Sequence, residues 1–310
     1  MKTFFKPLCG YLLAILSFYS VSGNAQTEQD ALMMPENRLC VAGTFGYNSW
    51  TNYWEGTFKR NNDNIGRLST KSAMVMLNYG VNKNLNLLAS LPFVSTHASK
   101  GTLSGLNGFQ DLGFFVKWRP VRIESGKQKF SVFAVGGFTA PTNKYNVDFM
   151  PMNIGMGCNV LSGRLIADVQ INKIYASLSG AYLLRSNVTI DRDAYYTDHL
   201  INSDKVKMPN AGNLQVRTGY RSRFFIAEAF LDNMTTIGGF DIRKNDMPFI
   251  SNKMNTTNTG LEMKYYLPKL SALGFHASVW HTIAGRNVGQ ATGMMAGVDY
   301  AFNLKRSIKK

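Results

Sequence analysis

The run NLQVRTGYRSRFFIAEAFLDNM, residues 213 to 234, decides the fold. Leu214, Val216, Thr218 and Tyr220 alternate with Asn213, Gln215, Arg217, Gly219 and Arg221. Successive side chains of a strand point to opposite faces, so this period of two describes a strand with one apolar and one polar face. A short turn follows, and a second apolar-rich run opens at Phe224. The polar face lines either the outside of the protein or an interior filled with polar groups.

The first residues bear on where the chain goes. Lys2 and Lys6 precede the apolar stretch PLCGYLLAILSFYSV, and GNA at 23 to 25 is a small-x-small cleavage site before Gln26. This is the layout of a cleaved signal peptide over residues 1–25. Cys9 comes too early to be a lipoprotein cysteine. After the leader, Cys40 and Cys158 remain; export permits a disulfide between them, and neither sits in metal-type spacing.

Lys and Arg outnumber Asp and Glu by 34 to 19. The excess suits an anionic partner or an anionic membrane surface. Apart from the C-terminal KRSIKK it is spread along the chain, which argues against nucleic acid as a partner. Past the leader there is no apolar run of the ~18 residues a membrane helix needs.

Beyond the opening run the same period recurs in segments of roughly 10 residues, the length of a tilted membrane-spanning strand. They are read at 38–49, 70–80, 84–95, 108–119, 129–140, 158–170, 173–186, 211–221, 223–235, 257–267, 271–283 and 291–303. Leu112, Phe114, Val116 and Trp118 alternate with Asp111, Gly113, Lys117 and Arg119. Leu261, Met263, Tyr265 and Leu267 alternate with Glu262, Lys264 and Tyr266. Val298, Tyr300 and Phe302 alternate with Asp299. The runs at 84–95, 129–140 and 223–235 are apolar on both faces.

Connections alternate short and long. Short ones lie at 81–84, 121–128, 171–173, 222 and 268–270; long ones at 50–69, 96–107, 141–157, 187–210, 236–256 and 284–290. A soluble sandwich has no reason to sort its loops this way, whereas an outer-membrane barrel has short periplasmic turns and long outer loops. The expected fold is all-β: an antiparallel transmembrane β-barrel of about 12 strands over 38–303. A short periplasmic segment, 26–37, would precede it, and a basic periplasmic tail, 304–310, would follow.

Hydrocarbon offers no partner to a backbone N–H or C=O, so the sheet must close on itself. An arginine facing lipid at mid-bilayer would cost ~2–4 kcal/mol. The polar face is therefore assigned to the lumen. Tyr79, Phe93, Trp118, Tyr220 and Tyr300 fall near strand ends, where aromatic girdles belong.

The units LNYGVNKNLNLLASLPFV (77–94), GLNGFQDLGFFVKWRP (105–120) and FAVGGFTAPTNKY (133–145) follow one another. In this order the chain resembles the outer-membrane channels grouped as the MetA-pathway phenol-degradation family and, more loosely, FadL-like transporters of hydrophobic compounds. The resemblance implies a barrel that passes small molecules and no catalytic residues. FadL-like transporters carry a sizeable plug before the first strand. Here only residues 26 to 37 precede it, too few to fill a barrel as that plug does.

The candidate selectivity residues are Lys117, Arg119, Arg217, Arg221 and Lys264, with Asp111, Glu262 and Asp299 on the same inward faces. Inward basic rings favour anions; pairing with the acids would instead fill the lumen. Twelve strands fall between the ~8 of a filled barrel and the ~16–18 of a wide porin.

The loops offer Asp191, Asp193, Tyr195 and Tyr196, and Asp241 with Arg243. Only Asp191 and Asp193 have calcium-like spacing, so polar loops that touch lipopolysaccharide or fold over the pore are the reading, with no metal and no cofactor. The repeated HAS at 97–99 and 276–278 puts a histidine and a serine on one strand face, which keeps an outer-membrane hydrolase as a minor alternative. Expected partners are outer-membrane lipid and lipopolysaccharide, the barrel-assembly machinery and a small hydrophobic or anionic solute, with a monomer favoured. A non-conducting structural or assembly barrel is the main alternative to a channel.

Overall fold

The computed structural model describes residues 27–244 and 246–304. The expected signal peptide, 1–25, and most of the expected basic tail, 304–310, lie outside the described residues. Twelve long strands build the barrel: β1 (Arg38–Trp50), β2 (Leu68–Asn82), β3 (Leu85–Ala98), β4 (Asp111–Ser125), β5 (Gln128–Pro141) and β6 (Val160–Ile171) come first. β7 (Ile174–Arg185), β8 (Asn210–Arg221), β9 (Phe225–Ile237), β10 (Asn255–Leu267), β11 (Leu270–Arg286) and β12 (Thr292–Asn303) complete it.

Each strand pairs antiparallel with its sequence neighbour, and β1 pairs with β12 from Arg38↔Asn303 to Ser49↔Thr292. That last ladder removes both edges, as a bilayer requires. The sheet faces are opposite to those of a soluble protein. Leu214, Val216, Leu261 and Met263 point outward and are exposed, while Gln215, Arg217 and Lys264 between them are buried inside. Leu214 is 54 % exposed and Gln215 is 3 % exposed, which places the polar face in the lumen. Trp118 and Phe302 are also exposed outward near the turn side.

Strand ends differ from the sequence reading by up to three residues, and by six at the end of β4. β4 and β5 run on to Ser125 and Gln128, so the turn is Gly126–Lys127 rather than 121–128. Gly126 has φ +57°, a conformation that suits glycine and lets the two strands reverse tightly. Pro120 falls where the β4–β5 register shifts, between Trp118 and Val121; without an N–H it interrupts the ladder and hides the strand's continuation. β11 extends to Arg286, so the last outer connection is only 287–291 and is short, not long.

At the other end, residues Asn107–Phe109 continue the β4 ladder against β3, and Phe109 stands edge-on to Phe93 at 5.4 Å. The first outer loop holds a small hairpin, Asn52–Glu55 with Phe58–Asn61. The fourth holds two short pairings, Val188–Thr189 with Lys205–Val206 and Tyr195–Tyr196 with Leu200–Ile201.

Candidate functional site: a plugged lumen

The segment before β1, expected to stay outside the barrel, is inside it. Asp30, Ala31 and Met34 are buried. The chain enters past β2 at Gly80, where a β-carbon would run into the Pro35 carbonyl oxygen; only glycine leaves room. Asn37 N–H then donates to the Gly80 carbonyl at 2.8 Å as β1 begins. A few residues suffice because they need not fill the lumen by volume. They satisfy its charges.

Lys117 of β4 is fully buried. Its ammonium donates to Asp30 Oδ1 at 2.9 Å, to the Thr27 carbonyl at 2.7 Å and to the Leu32 carbonyl at 3.1 Å. An ammonium has three N–H donors, and here all three go to the segment. On the opposite wall, Lys264 of β10 lies 3.5 Å from Asp30 Oδ2. Asp30 also accepts from its own Thr27 and Leu32 backbone N–H groups, at 2.7 and 3.0 Å, which fixes its rotamer. Burial raises the Asp30 pKa, but Lys117 and then Lys264 outweigh it and hold the carboxyl well below the usual carboxylate range.

From Lys264 a chain of ion pairs runs along the wall formed by the neighbouring strands β8, β9 and β10. Lys264 meets Glu262 at 3.1 Å, Glu262 meets Arg217 at 3.0 Å, and Arg217 pairs with Glu228. Tyr175 donates its hydroxyl to Glu228. Arg217 Nε donates to Gln215 at 2.9 Å, and Gln215 donates to Asp232 at 3.1 Å and to Gln29 of the plug at 3.2 Å. Arg164 reaches Ser179 and Asn213 at 2.8 and 2.9 Å. Arg221 pairs with Asp168 at 3.2 Å and lies 3.8 Å over the Tyr175 ring.

These contacts bear on the two readings of the basic lumen, an anion-favouring ring or pairs that fill it. Lys117, Arg217, Arg221 and Lys264 do face inward, but each has a carboxylate partner. Of the three acids expected on those faces, only Glu262 pairs with them. Asp111 sits at the outer end of β4 and accepts from Tyr145 at 2.5 Å. Asp299 lies 4.0 Å from the Cys40 thiol and 3.6 Å from His276 Nδ1. Arg119 stands at the turn-side rim and donates to the Lys83 carbonyl and to Asn84. Asp30, Asp168, Glu228 and Asp232 were not singled out in the sequence. Asp30 lies in a stretch without periodicity, and Glu228 on a strand apolar on both faces.

An apolar patch adjoins the Lys117 ammonium. Ala31 packs on Phe133, Val135 and Ile166, with Met33 and Phe115 beside them. Lys117 Nζ is 5.8 Å from the centre of the Phe133 ring. Toward the turn side, the plug, Phe133, Arg119 and Arg221 border a vestibule of about 990 Å³.

The outer loops pack on one another. Val147 and Cys158 of the third loop meet Val188, Ile190, Tyr195 and Val206 of the fourth and Phe249 of the fifth. Tyr195 stacks on Phe249 at 5.3 Å, and Arg192 pairs with Asp148 at 2.8 Å. Arg243 lies 4.1 Å over Tyr196. Asp241 accepts from Arg286 and Asn287, whereas Asp191 and Asp193 are exposed and do not join it. Among the described residues no group of three or more His, Cys, Asp or Glu is placed to hold a metal ion. Cys40 and Cys158 are both free. Of the histidine–serine repeats, His97 is exposed and Ser99 accepts from the Arg67 backbone, while His276 Nε2 lies 3.0 Å from the Thr44 hydroxyl.

No family model matches the chain, and no curated protein matches it significantly. Among solved structures it is similar to the COG4313 outer membrane channel from Pseudomonas putida F1. The TM-score is 0.72 at 14% identity, covering 90% of this chain and 100% of that one. The fold is that of a 12-stranded outer-membrane β-barrel. The NanC porin follows at TM-score 0.47 and 12% identity over 84% of this barrel and 98% of its own chain. The KdgM porin follows at 0.44 and 9%, over 84% and 99%.

Proposed function

We propose that the barrel passes a small solute across the outer membrane, and that residues 27–36 are the plug that shifts to let it through. The observation that carries this reading is the seat of Asp30 between Lys117 and Lys264. A purely structural barrel would be held as well by apolar packing, since buried ion pairs are weak sources of stability. A plug held by charge is different. It releases when its counter-charges are met from elsewhere. The sequence resemblance to the MetA-pathway phenol-degradation channels points the same way.

The remaining lumen charges bear on selectivity. Arg217, Glu262 and Lys264 leave a lumen of paired charges rather than a single-sign ring, so the open pore would discriminate by the local balance around Lys117 and Lys264. The vestibule wall carries Lys83, Arg119, Arg122, Lys129 and Arg221 against Glu36, Glu124 and Asp168, and this basic excess would draw anions in. The experiment is liposome swelling with small uncharged solutes, comparing wild type with Asp30→Lys. The variant sets three ammonium groups against one another and is expected to admit solutes several-fold faster. Equal, negligible swelling for both would favour the non-conducting barrel.

A further inference from the structure

Resting on the plugged-channel reading, we propose that Lys117 and Lys264 form the binding site for the carboxylate of an amphipathic solute, and that Asp30 and Ala31 occupy this site when the barrel is closed. The plug presents one carboxylate to two ammonium groups, and next to it a small apolar group to an apolar wall. Asp30 Oδ1 and Oδ2 face Lys117 and Lys264 at 2.9 and 3.5 Å. Ala31 covers Phe133, Val135 and Ile166. Adjacent residues of the plug thus display the two halves of an amphipathic acid.

Withdrawing the segment has unequal effects on the two lysines. Lys264 keeps Glu262 at 3.1 Å. Lys117 loses the Asp30 carboxylate and both carbonyls at once. A buried ammonium stripped of its partners is strongly unfavourable. The plug therefore leaves easily only when another acceptor arrives. One negative charge is missing, and Glu262 and Glu228 stand nearby, so a singly charged carboxylate restores the balance better than a dianion. The faces of Phe133, Val135 and Ile166 that Ala31 uncovers as it leaves ask for an apolar body on that carboxylate. The vestibule borders both the plug and Phe133, and the five basic side chains on its wall outnumber the three acidic ones, which leaves a net positive approach for an anion.

Asp30→Ala in the full chain opens a gap of carboxylate size between the lysines. At constant ionic strength, benzoate is expected to raise the melting temperature of this variant by several degrees, acetate by less and benzamide not at all. Adding Lys117→Met abolishes the benzoate effect. In wild type Asp30 competes, so at least tenfold more benzoate is needed. An equal response to benzoate and benzamide, or a benzoate effect that survives Lys117→Met, overturns the proposal.

A second readout does not depend on how Asp30→Ala folds. In a Met33→Cys variant with Asp30 intact, saturating benzoate is expected to accelerate maleimide labelling of the new thiol about tenfold, and benzamide to leave it unchanged. No acceleration by benzoate overturns the proposal. Neither readout needs flux. A barrel that binds benzoate but never admits solute refutes passage and leaves the site standing; one that conducts without responding to benzoate does the reverse.

Discussion

Asp30 and Lys117 are 87 positions apart in the chain, and their charged groups meet at 2.9 Å inside the barrel. This contact ties a segment with no regular structure to the wall of a membrane-spanning sheet. The charges of the lumen are paired with those of the segment and of one another.

The pair is expected to show coupling in a double-mutant cycle. Asp30→Ala should destabilise the folded barrel by about 3 kcal/mol, since it strips the buried Lys117 of its carboxylate, and Lys117→Met should cost less, since Asp30 keeps Lys264 at 3.5 Å. The double variant should cost less than the two together, by at least about 1 kcal/mol. Equilibrium urea unfolding in lipid vesicles measures this. Strict additivity would mean that the two groups do not sense each other.

The pH dependence follows from Asp30. Its folded-state pKa lies below its ordinary value of 3.8. A carboxyl depressed in this way contributes stability that is present above the ordinary value and lost as pH falls through the folded one. The plug should therefore stay seated from neutral pH down to about pH 4 and loosen only well below 3.8. Labelling of Met33→Cys by a reagent reactive in acid would follow it. Asp30→Asn should remove the transition, and a midpoint near neutral pH would contradict the assignment.

Gly80→Val places a branched side chain where the Pro35 carbonyl passes. Backbone cannot yield as a flexible side chain does, so the plug must move. The three atoms nearest to a β-carbon at Gly80 all belong to Met34 and Pro35 of the plug. The expected result is a folded, heat-modifiable barrel on gels whose plug residues are cleaved much faster by protease than in wild type. Unchanged cleavage would place the plug's anchor elsewhere.

The lipid face is tested by Leu214→Arg. Leu214 faces outward at the middle of β8, so the change should cost ~2–4 kcal/mol in vesicle folding titrations. Thr218→Val, on the same face, should be close to neutral. If Leu214→Arg were also neutral, the two faces of β8 would have to be exchanged.

Most of the barrel was legible because alternation and loop length both report on a bilayer. Leu214 and Arg217 declare opposite faces without help from any partner. Lys117 and Lys264 could be placed inside for the same reason. Their partners could not. Asp30 precedes β1 in a stretch with no period, and nothing local says that it turns inward. Glu228 lies between Ala227 and Ala229 on β9, where small residues blur the two faces. Pro120 broke the β4 pattern and shortened that strand in the sequence reading. The Cys40 and Cys158 thiols were eligible for a disulfide by compartment, but they sit at opposite ends of the barrel, on β1 near the turns and in the third outer loop.

Single-channel conductance in planar bilayers tests the central claim most directly. Wild-type barrel is expected to be closed for most of the record, and Asp30→Lys, which repels both Lys117 and Lys264, to give long, discrete openings. If Asp30→Lys inserts as a folded barrel and stays as silent as wild type, the plug is not what closes the lumen, and the channel account fails.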